Sequence, residues 1–383
     1  MTLTNFDFKA DDLQLQAFIR LHHEPGLSAR RCAQLMAAFD RPTDIFNSSL
    51  TKLCTILPIK LATQLLAPLQ TQVLNDLQTT LNWGAQPNCH LLTWADSNYP
   101  SPLKHMYDPP ILLYVKGNLK CLGMPSIAIV GTRDASSYGF GVATQLAYNF
   151  AQAGWCVISG LARGIDAAAH QGALATTQKH STLAVMGHGL DTVYPPQHVD
   201  LAHLIVSQQG ALLSELGPDK PPRPHQFPRR NRLVAGLVRG VIVVEANERS
   251  GSLITARLAN ELGRDIFAVP GPITSPASQG VHALIKQGAC LIENADDVFE
   301  ELGYPTPLRP NLILPNPMQC KLTPLQSQIL QLIGHAPTNV TQLLSNLNIS
   351  AQSLHIELTR LELAGLIDRE EHGVVCAIRG VKY

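Results

Sequence analysis

From about residue 90 to 300 the chain alternates short, continuously apolar runs with longer segments whose apolar positions recur at helical spacing. The runs are IAIV (127–130), CVIS (156–159), TLAVM (182–186), ALLS (211–214), VIVVE (241–245) and IFAV (266–269). Between them, the periodicity predicts helices over about 138–153, 164–177, 198–208, 229–238 and 252–263. A strand that is apolar at every position is buried on both faces. That requires helices above and below it, and so a parallel sheet. The pattern therefore predicts an α/β fold, an extended Rossmann-like, doubly wound parallel sheet.

The flanks read differently. The first 80 residues carry helical periodicity in LQAFIRLHH and RRCAQLMAAF, split by Pro25-Gly26-Leu27-Ser28, with Ser28 placed as an N-cap. This turn resembles that of a SAM-like or helix-hairpin-helix module, which either binds DNA through helix N-termini or serves only for packing. Residues 303–320, GYPTPLRPNLILPNPMQC, hold five prolines and read as a linker. Helices over 323–334, 339–346 and 350–364, followed by the hairpin-like LIDREEHGVVCAI, describe a winged helix. Its third helix offers Arg360 but also Glu357 and Glu362, whose repulsion of phosphate favours a protein-interaction surface over DNA contact. The expected domains are 1–80 (helical), 81–302 (Rossmann-like), 303–320 (linker) and 321–383 (winged helix).

Charge sharpens this picture by being absent. The 383 residues have a formal net charge of zero, and the balance holds locally, with seven residues of each sign in 1–80 and five of each in 321–383. No domain has the overall positive charge of a typical nucleic-acid binder, so any affinity for polyanions must come from clustering. One cluster stands out: residues 219–232 contain five basic residues and one acid, centred on HQFPRRNRLVAG (225–236). The longest aliphatic-aromatic run is ILLYV (111–115), far short of the roughly 18 apolar residues of a membrane span. MTLTNFDFKADD lacks the features of a signal peptide, and the eight cysteines form no C-x-x-C pair. A cytoplasmic protein with reduced thiols is expected.

In a parallel sheet, ligands bind beyond the carboxyl ends of the strands. Here those loops are GTRDASSYG, SGLARGID, GHGLD, SELG and EANERSGSLITA, rich in Gly, Ser and Thr, with Arg133, Arg163 and Arg249 at the same edge. Ser250-Gly251-Ser252 leads into a helix, a natural anion site. Several such loops on one edge point to a phosphate-bearing ligand. GTRDASSYG is not G-x-G-x-x-G, which argues against a dinucleotide cofactor. Asp166, Asp191, Glu215 and Glu245 lie at strand ends, where they either converge on a metal or pair with nearby arginines; the absence of recurring ligand spacing favours pairing. His170 follows Asp166 at i+4, a spacing more typical of a structural hydrogen bond than of a catalytic dyad, and no nucleophile elbow occurs. No catalytic residue, metal ligand or cofactor is assigned. In the basic cluster, arginine forks suit phosphates and Phe227 suits base stacking, a combination that grips single strands.

The motifs IAIVGTRDASSYG, VISGLARGIDAAAHQGAL, TLAVMGHGLDTVYP, LLSELGP, FPRRNRLVAGL, VVEANERSGSLITARLANELGR and FAVPGP resemble, in order, those of the DNA-processing protein A (Smf) family. The lead-in YPSPLKHMYDPPILLYVKG does so too, and the resemblance is dense over about 99–290. It implies a non-catalytic, cytoplasmic protein that binds single-stranded DNA during natural transformation, protects it, loads RecA where single-strand-binding protein would exclude it, and dimerises through the Rossmann-like domain. Carried over by motif, the DNA contacts would be Gly131, Thr132, Arg133, Phe227, Arg230, Asn231, Arg232, Ser250, Gly251 and Ser252, with Arg163 and Lys179 as further candidates. Arg229 is expected to be merely solvated. The alternatives are a Rossmann-like nucleotide-phosphate hydrolase and a metal-dependent nuclease using the strand-end carboxylates.

Overall fold

The computed structural model describes residues 10–305, 323–333, 338–347, 349–363, 367–370 and 374–377. Most of the proline-rich linker expected over 303–320 lies outside the described residues. Nine strands among those described form one sheet: β1 (Cys89–Thr93), β2 (Leu112–Gly117), β3 (Ser126–Val130), β4 (Cys156–Ser159), β5 (Thr182–Val185), β6 (Ala211–Ser214), β7 (Gly240–Val243), β8 (Asp265–Ala268) and β9 (Cys290–Leu291). Their order is β1-β2-β6-β5-β4-β3-β7-β8-β9. β3 to β9 run parallel, while β2 joins β6, and β1 joins β2, antiparallel. The chain thus builds from β3 outwards to β6, then returns to β3's other side at β7. A crevice opens at such a reversal.

The continuous apolar runs are explained by the two faces they bury. Along each strand, successive side chains alternate between faces. Leu113, Val115, Leu183, Val185 and Leu213 enter one core with Leu233, Val234 and Ala256, from helices Gln226–Leu237 and Gly251–Glu261. Leu112, Tyr114, Ala184, Met186 and Leu212 enter the other, with Ala167, Leu174 and Ile205 from helices Ile165–Leu174 and Val199–Ser207. The sheet is doubly wound, as the pattern predicts.

The N-terminal helices share that second core. Ile19, Leu77 and Trp83 pack into it, with the Trp83 ring 5.6 Å from that of Tyr114. Helix Thr71–Gly84 runs through residue 80 without a break. Ser28 caps helix Ala29–Ala38, accepting from the Arg31 amide.

The C-terminal unit is a winged helix. Helices Pro324–Ile333, Val340–Leu347 and Ala351–Leu363 enclose Ile329, Leu330, Leu343, Leu354, Leu358 and Leu361. Strands β10 (Thr338–Asn339), β11 (Ile367–Glu370) and β12 (Val374–Ala377) form a sheet in the order β10-β12-β11. Arg360, the cation of the third helix, pairs with Glu357 at 2.7 Å on the same helix. Among the described residues no helix is long and apolar enough to cross a membrane.

One buried group makes the Rossmann-like core sensitive to acid. His170, on helix Ile165–Leu174, lies fully buried with Nδ1 2.7 Å from Thr182 Oγ1. That hydroxyl donates to the Val157 carbonyl, so it accepts from the imidazole, which carries its proton on Nδ1. Nε2 has no partner among the described residues. Burial, then the nearby His198 and Arg230 charges, push the imidazole from 6.5 down to about 3. The unfolded chain takes up this proton near its ordinary pKa and the folded protein refuses it, so stability falls as pH drops between those values. The slope from this residue is at most about 1.4 kcal/mol per pH unit. Urea denaturation at a series of pH values is expected to show a flatter acid limb for His170→Gln than for the wild type.

Candidate nucleic-acid interface

The loops after β3, β4 and β7 are laced by backbone hydrogen bonds. The Thr132 amide donates to the Glu245 carbonyl at 2.8 Å, and the Ile165 amide donates to the Thr132 carbonyl at 3.2 Å. Gly131 sits at this junction, where a Cβ would lie 2.5 Å from Ile165 Cγ1 and 2.8 Å from the Glu245 oxygen. The glycine of the GTR motif is therefore demanded by packing. Around the junction opens a crevice of about 610 Å³, at the reversal point of the sheet.

Its floor is Arg230. Helix Gln226–Leu237 begins with a proline in its first turn, where the missing amide is tolerated, and delivers Arg230 one turn later. The side chain is 8% exposed; its guanidinium lies against Gly160 so closely that no Cβ fits there, and it donates to the Val185 carbonyl at the end of β5. Asp166 faces it without a direct ion pair and accepts from the Gly160 amide at 3.1 Å and the Ala162 amide at 3.4 Å. Burial raises the Asp166 pKa, which Arg230 opposes, and burial lowers that of Arg230, which Asp166 opposes.

The walls add exposed charge, a helix end and aromatic surface. Arg133 and Arg249 are exposed, with no acid at ion-pair distance among the described residues. Ser250 caps helix Gly251–Glu261, with its hydroxyl 2.7 Å from that of Ser252, so the positive end of that helix faces the crevice. Asn231 Nδ2 reaches the Gly251 carbonyl at 3.3 Å. A Cβ on Gly251 would meet nothing within 4 Å, so its openness is towards whatever the crevice holds. Phe227 pairs with Tyr194 at 5.6 Å between ring centroids, and Tyr194 is 44% exposed.

Of the residues singled out in sequence, Gly131, Thr132, Arg133, Phe227, Arg230, Asn231, Ser250, Gly251 and Ser252 line one crevice. Three do not. Arg232, two positions beyond Arg230 on the helix, points away and is buried with Nη2 2.5 Å from both Glu215 oxygens and Nε 3.2 Å from Asp108. Lys179 precedes β5, and in a parallel strand that places it at the amino edge, opposite the crevice. Arg163 pairs with Asp134 at 3.6 Å and does not line the crevice. Arg229 is half-exposed, but with a partner, Glu215 at 3.6 Å. Tyr194, in the loop after β5, escaped notice because nothing but its place at the carboxyl edge marked it.

Three of the four strand-end acids disperse. Asp166 answers Arg230, Glu215 binds Arg232 on the far side of the helix, and Asp191 is exposed elsewhere. His170 turns to Thr182, while Asp166 turns to backbone amides, so they form no dyad. Among the described residues no three His, Cys, Asp or Glu side chains come together as a metal site.

Residues 90–303 match the family model described as DNA recombination-mediator protein A, and residues 315–373 match the DprA winged helix domain. Protein Smf of Escherichia coli is 40% identical over 300 residues, 78% of this chain and 80% of that protein. DNA processing protein DprA of Streptococcus pneumoniae is 45% identical over 209 residues, 55% of this chain and 73% of its own length. The X-ray structure of the S. pneumoniae protein aligns with a TM-score of 0.64 at 34% identity, covering 75% of this chain and 97% of that one. A structure of DNA processing protein A from Helicobacter pylori, described for its single-stranded DNA binding mode, aligns at 0.50 and 32% identity, covering 55% and 95%.

The buried Arg232–Glu215 pair gives a stability test separate from the crevice. Removing one partner strands the other's charge, at about 3–5 kcal/mol. Chemical denaturation is expected to show that loss for Arg232→Ala, partial recovery when Glu215→Gln is added, and a change within about 0.5 kcal/mol for the exposed Arg133→Ala.

Proposed function

The chain belongs to the DNA recombination-mediator protein A family, and from that premise we propose that it binds single-stranded DNA in the crevice at the carboxyl edge of its parallel sheet, without catalysis. The observation that carries this is one crevice holding a buried guanidinium, two exposed ones with no acid at ion-pair distance among the described residues, a helix N-terminus and a half-exposed aromatic pair. Arg133, Arg249 and the helix end bind successive phosphates, Arg230 fixes the deepest one, and Tyr194 with Phe227 stacks a base regardless of its identity. Gly251 lets the strand approach the helix end closely. In a neutral chain, confining positive charge to a crevice with aromatic walls favours an unpaired strand, whose bases are exposed, over a duplex.

Within natural transformation this protein protects the incoming strand and loads RecA on it in place of single-strand-binding protein, acting as a homodimer through the Rossmann-like domain; the family membership supports these roles. The 1–80, 81–302 and 321–383 division assigns DNA to the middle part and a protein-interaction surface to the winged helix, as the Arg360–Glu357 pair favours.

Mobility-shift titrations with single- and double-stranded oligonucleotides at two salt concentrations test the central statement. Tighter binding of single strands is expected, weakening steeply with salt. Arg133→Ala should reduce the slope of log K against log salt by about 0.7. Tyr194→Ala should cost about 1–3 kcal/mol at any salt. Arg230→Ala should lose most of the affinity, with circular dichroism confirming that it stays folded. Unchanged affinity in both folded arginine variants would sink the site, and sustained cleavage of labelled strands with Mg²⁺ would overturn the non-catalytic reading.

A further inference from the structure

The segment from Pro221 to Asn231 is a wall with two faces. Pro224, Phe227, Arg230 and Asn231 line the crevice, whereas Arg223, His225 and Arg229 line a second cavity of about 690 Å³, closed on its far side by the N-terminal helices and by the loop before β2. The rim between the two is thin: Pro224 and His225 are adjacent, with Cα atoms about 3.8 Å apart, yet they face different cavities.

The second cavity has more positive charge than its acids offset. Its two acids, Glu215 and Asp108, are both held by the buried Arg232, and Arg229 is only a distant third party to Glu215 at 3.6 Å. Lys220 is taken by Asp76 at 2.8 Å. Arg30 lies over the Tyr107 ring at 4.4 Å and donates to its hydroxyl, and neither Arg30 nor Arg223 has an acid at ion-pair distance among the described residues. Tyr107 is 72% exposed. Burial first, then neighbouring His23 and Arg229, drive the His22 imidazole in this cavity down to about 3. Guanidinium forks beside an exposed aromatic ring are the chemistry that receives a phosphodiester and its base.

We propose that this cavity is a second subsite for the same single strand, which crosses the wall at Pro224–His225 so that Arg30, Arg223 and Arg229 take phosphates beyond the crevice. It rests on the reading of the crevice as a single-strand site. Fluorescence anisotropy with oligothymidylates of two lengths, about 4 and about 16 nucleotides, bracketing the usual site sizes, separates the two. All three arginines are exposed, so Arg30→Ala/Arg223→Ala should fold normally. The double variant is expected to bind the long oligomer about tenfold more weakly, with a salt slope shallower by about 1.4, and the short oligomer as the wild type does. Wild-type affinity for the long oligomer in the double variant overturns the subsite. So does equal weakening for both lengths, which marks a general field. Orthophosphate binding by wild type that the double variant loses, without any change for the long oligomer, also overturns it, by making the cavity a small-anion site. Wild-type protein that binds neither length overturns the crevice reading together with this one, whereas binding of the short oligomer with no gain from length overturns this one alone.

Discussion

Burying the Arg230 guanidinium removes it from water at a cost of several kcal/mol, and the loops around the crevice are arranged to offset that cost. The Val185 carbonyl accepts from it, Gly160 clears the space it fills, and Asp166 supplies the opposing charge while tying down the Gly160 and Ala162 amides. A helix inserted between β6 and β7 thereby fixes the loops after β4 and β5, and the loop after β3 is laced to those after β4 and β7 through Thr132. The crevice is preorganised: its deepest cation is in place before any anion arrives, and the entropy of ordering it is settled on folding. Arg133 and Arg249 are of another kind, exposed side chains with no acid at ion-pair distance among the described residues.

Helical geometry explains how a neutral protein uses a run such as RRNR. Consecutive residues on a helix point about 100° apart, so neighbours in sequence enter different surroundings. Arg230 goes to the floor of the crevice, Arg232 to a buried pair with Glu215, and Arg229 to the opposite wall. What looks like one basic knot in the sequence is two electrostatic environments, Arg230 on the crevice side and Arg229 with Arg232 sharing Glu215 on the other, so the cluster makes no broadly positive surface.

The central sheet was legible because burial on both faces leaves an unmistakable continuous apolar run, as in IAIV and VIVVE. The outer strands were not. β1 is an antiparallel edge with His90 and Leu91 only partly buried, and β9 is two residues long, so neither presents a continuous buried run. The glycine-rich loops were legible as a group because topology sends them to one edge. Which side chain turns into the crevice depends on helix phase, as Arg232 illustrates, or on strand polarity, as Lys179 illustrates. Tyr194 belongs to no local pattern, and only its pairing with Phe227 in space gives it meaning.

In the proposed reading of the crevice, Gly251 sets stability and binding against each other. At the first turn of its helix a methyl group would meet no protein atom, and alanine is the better helix former by up to about 1 kcal/mol. The fold on its own would accept alanine there. If the open volume belongs to the ligand, selection for thermal resistance alone would tend to fill it, and a chain improved by that measure would arrive with its door narrowed. The position separates two selective pressures that coincide at Gly131, where a side chain would meet the Glu245 backbone oxygen and Ile165 and so harm folding before binding.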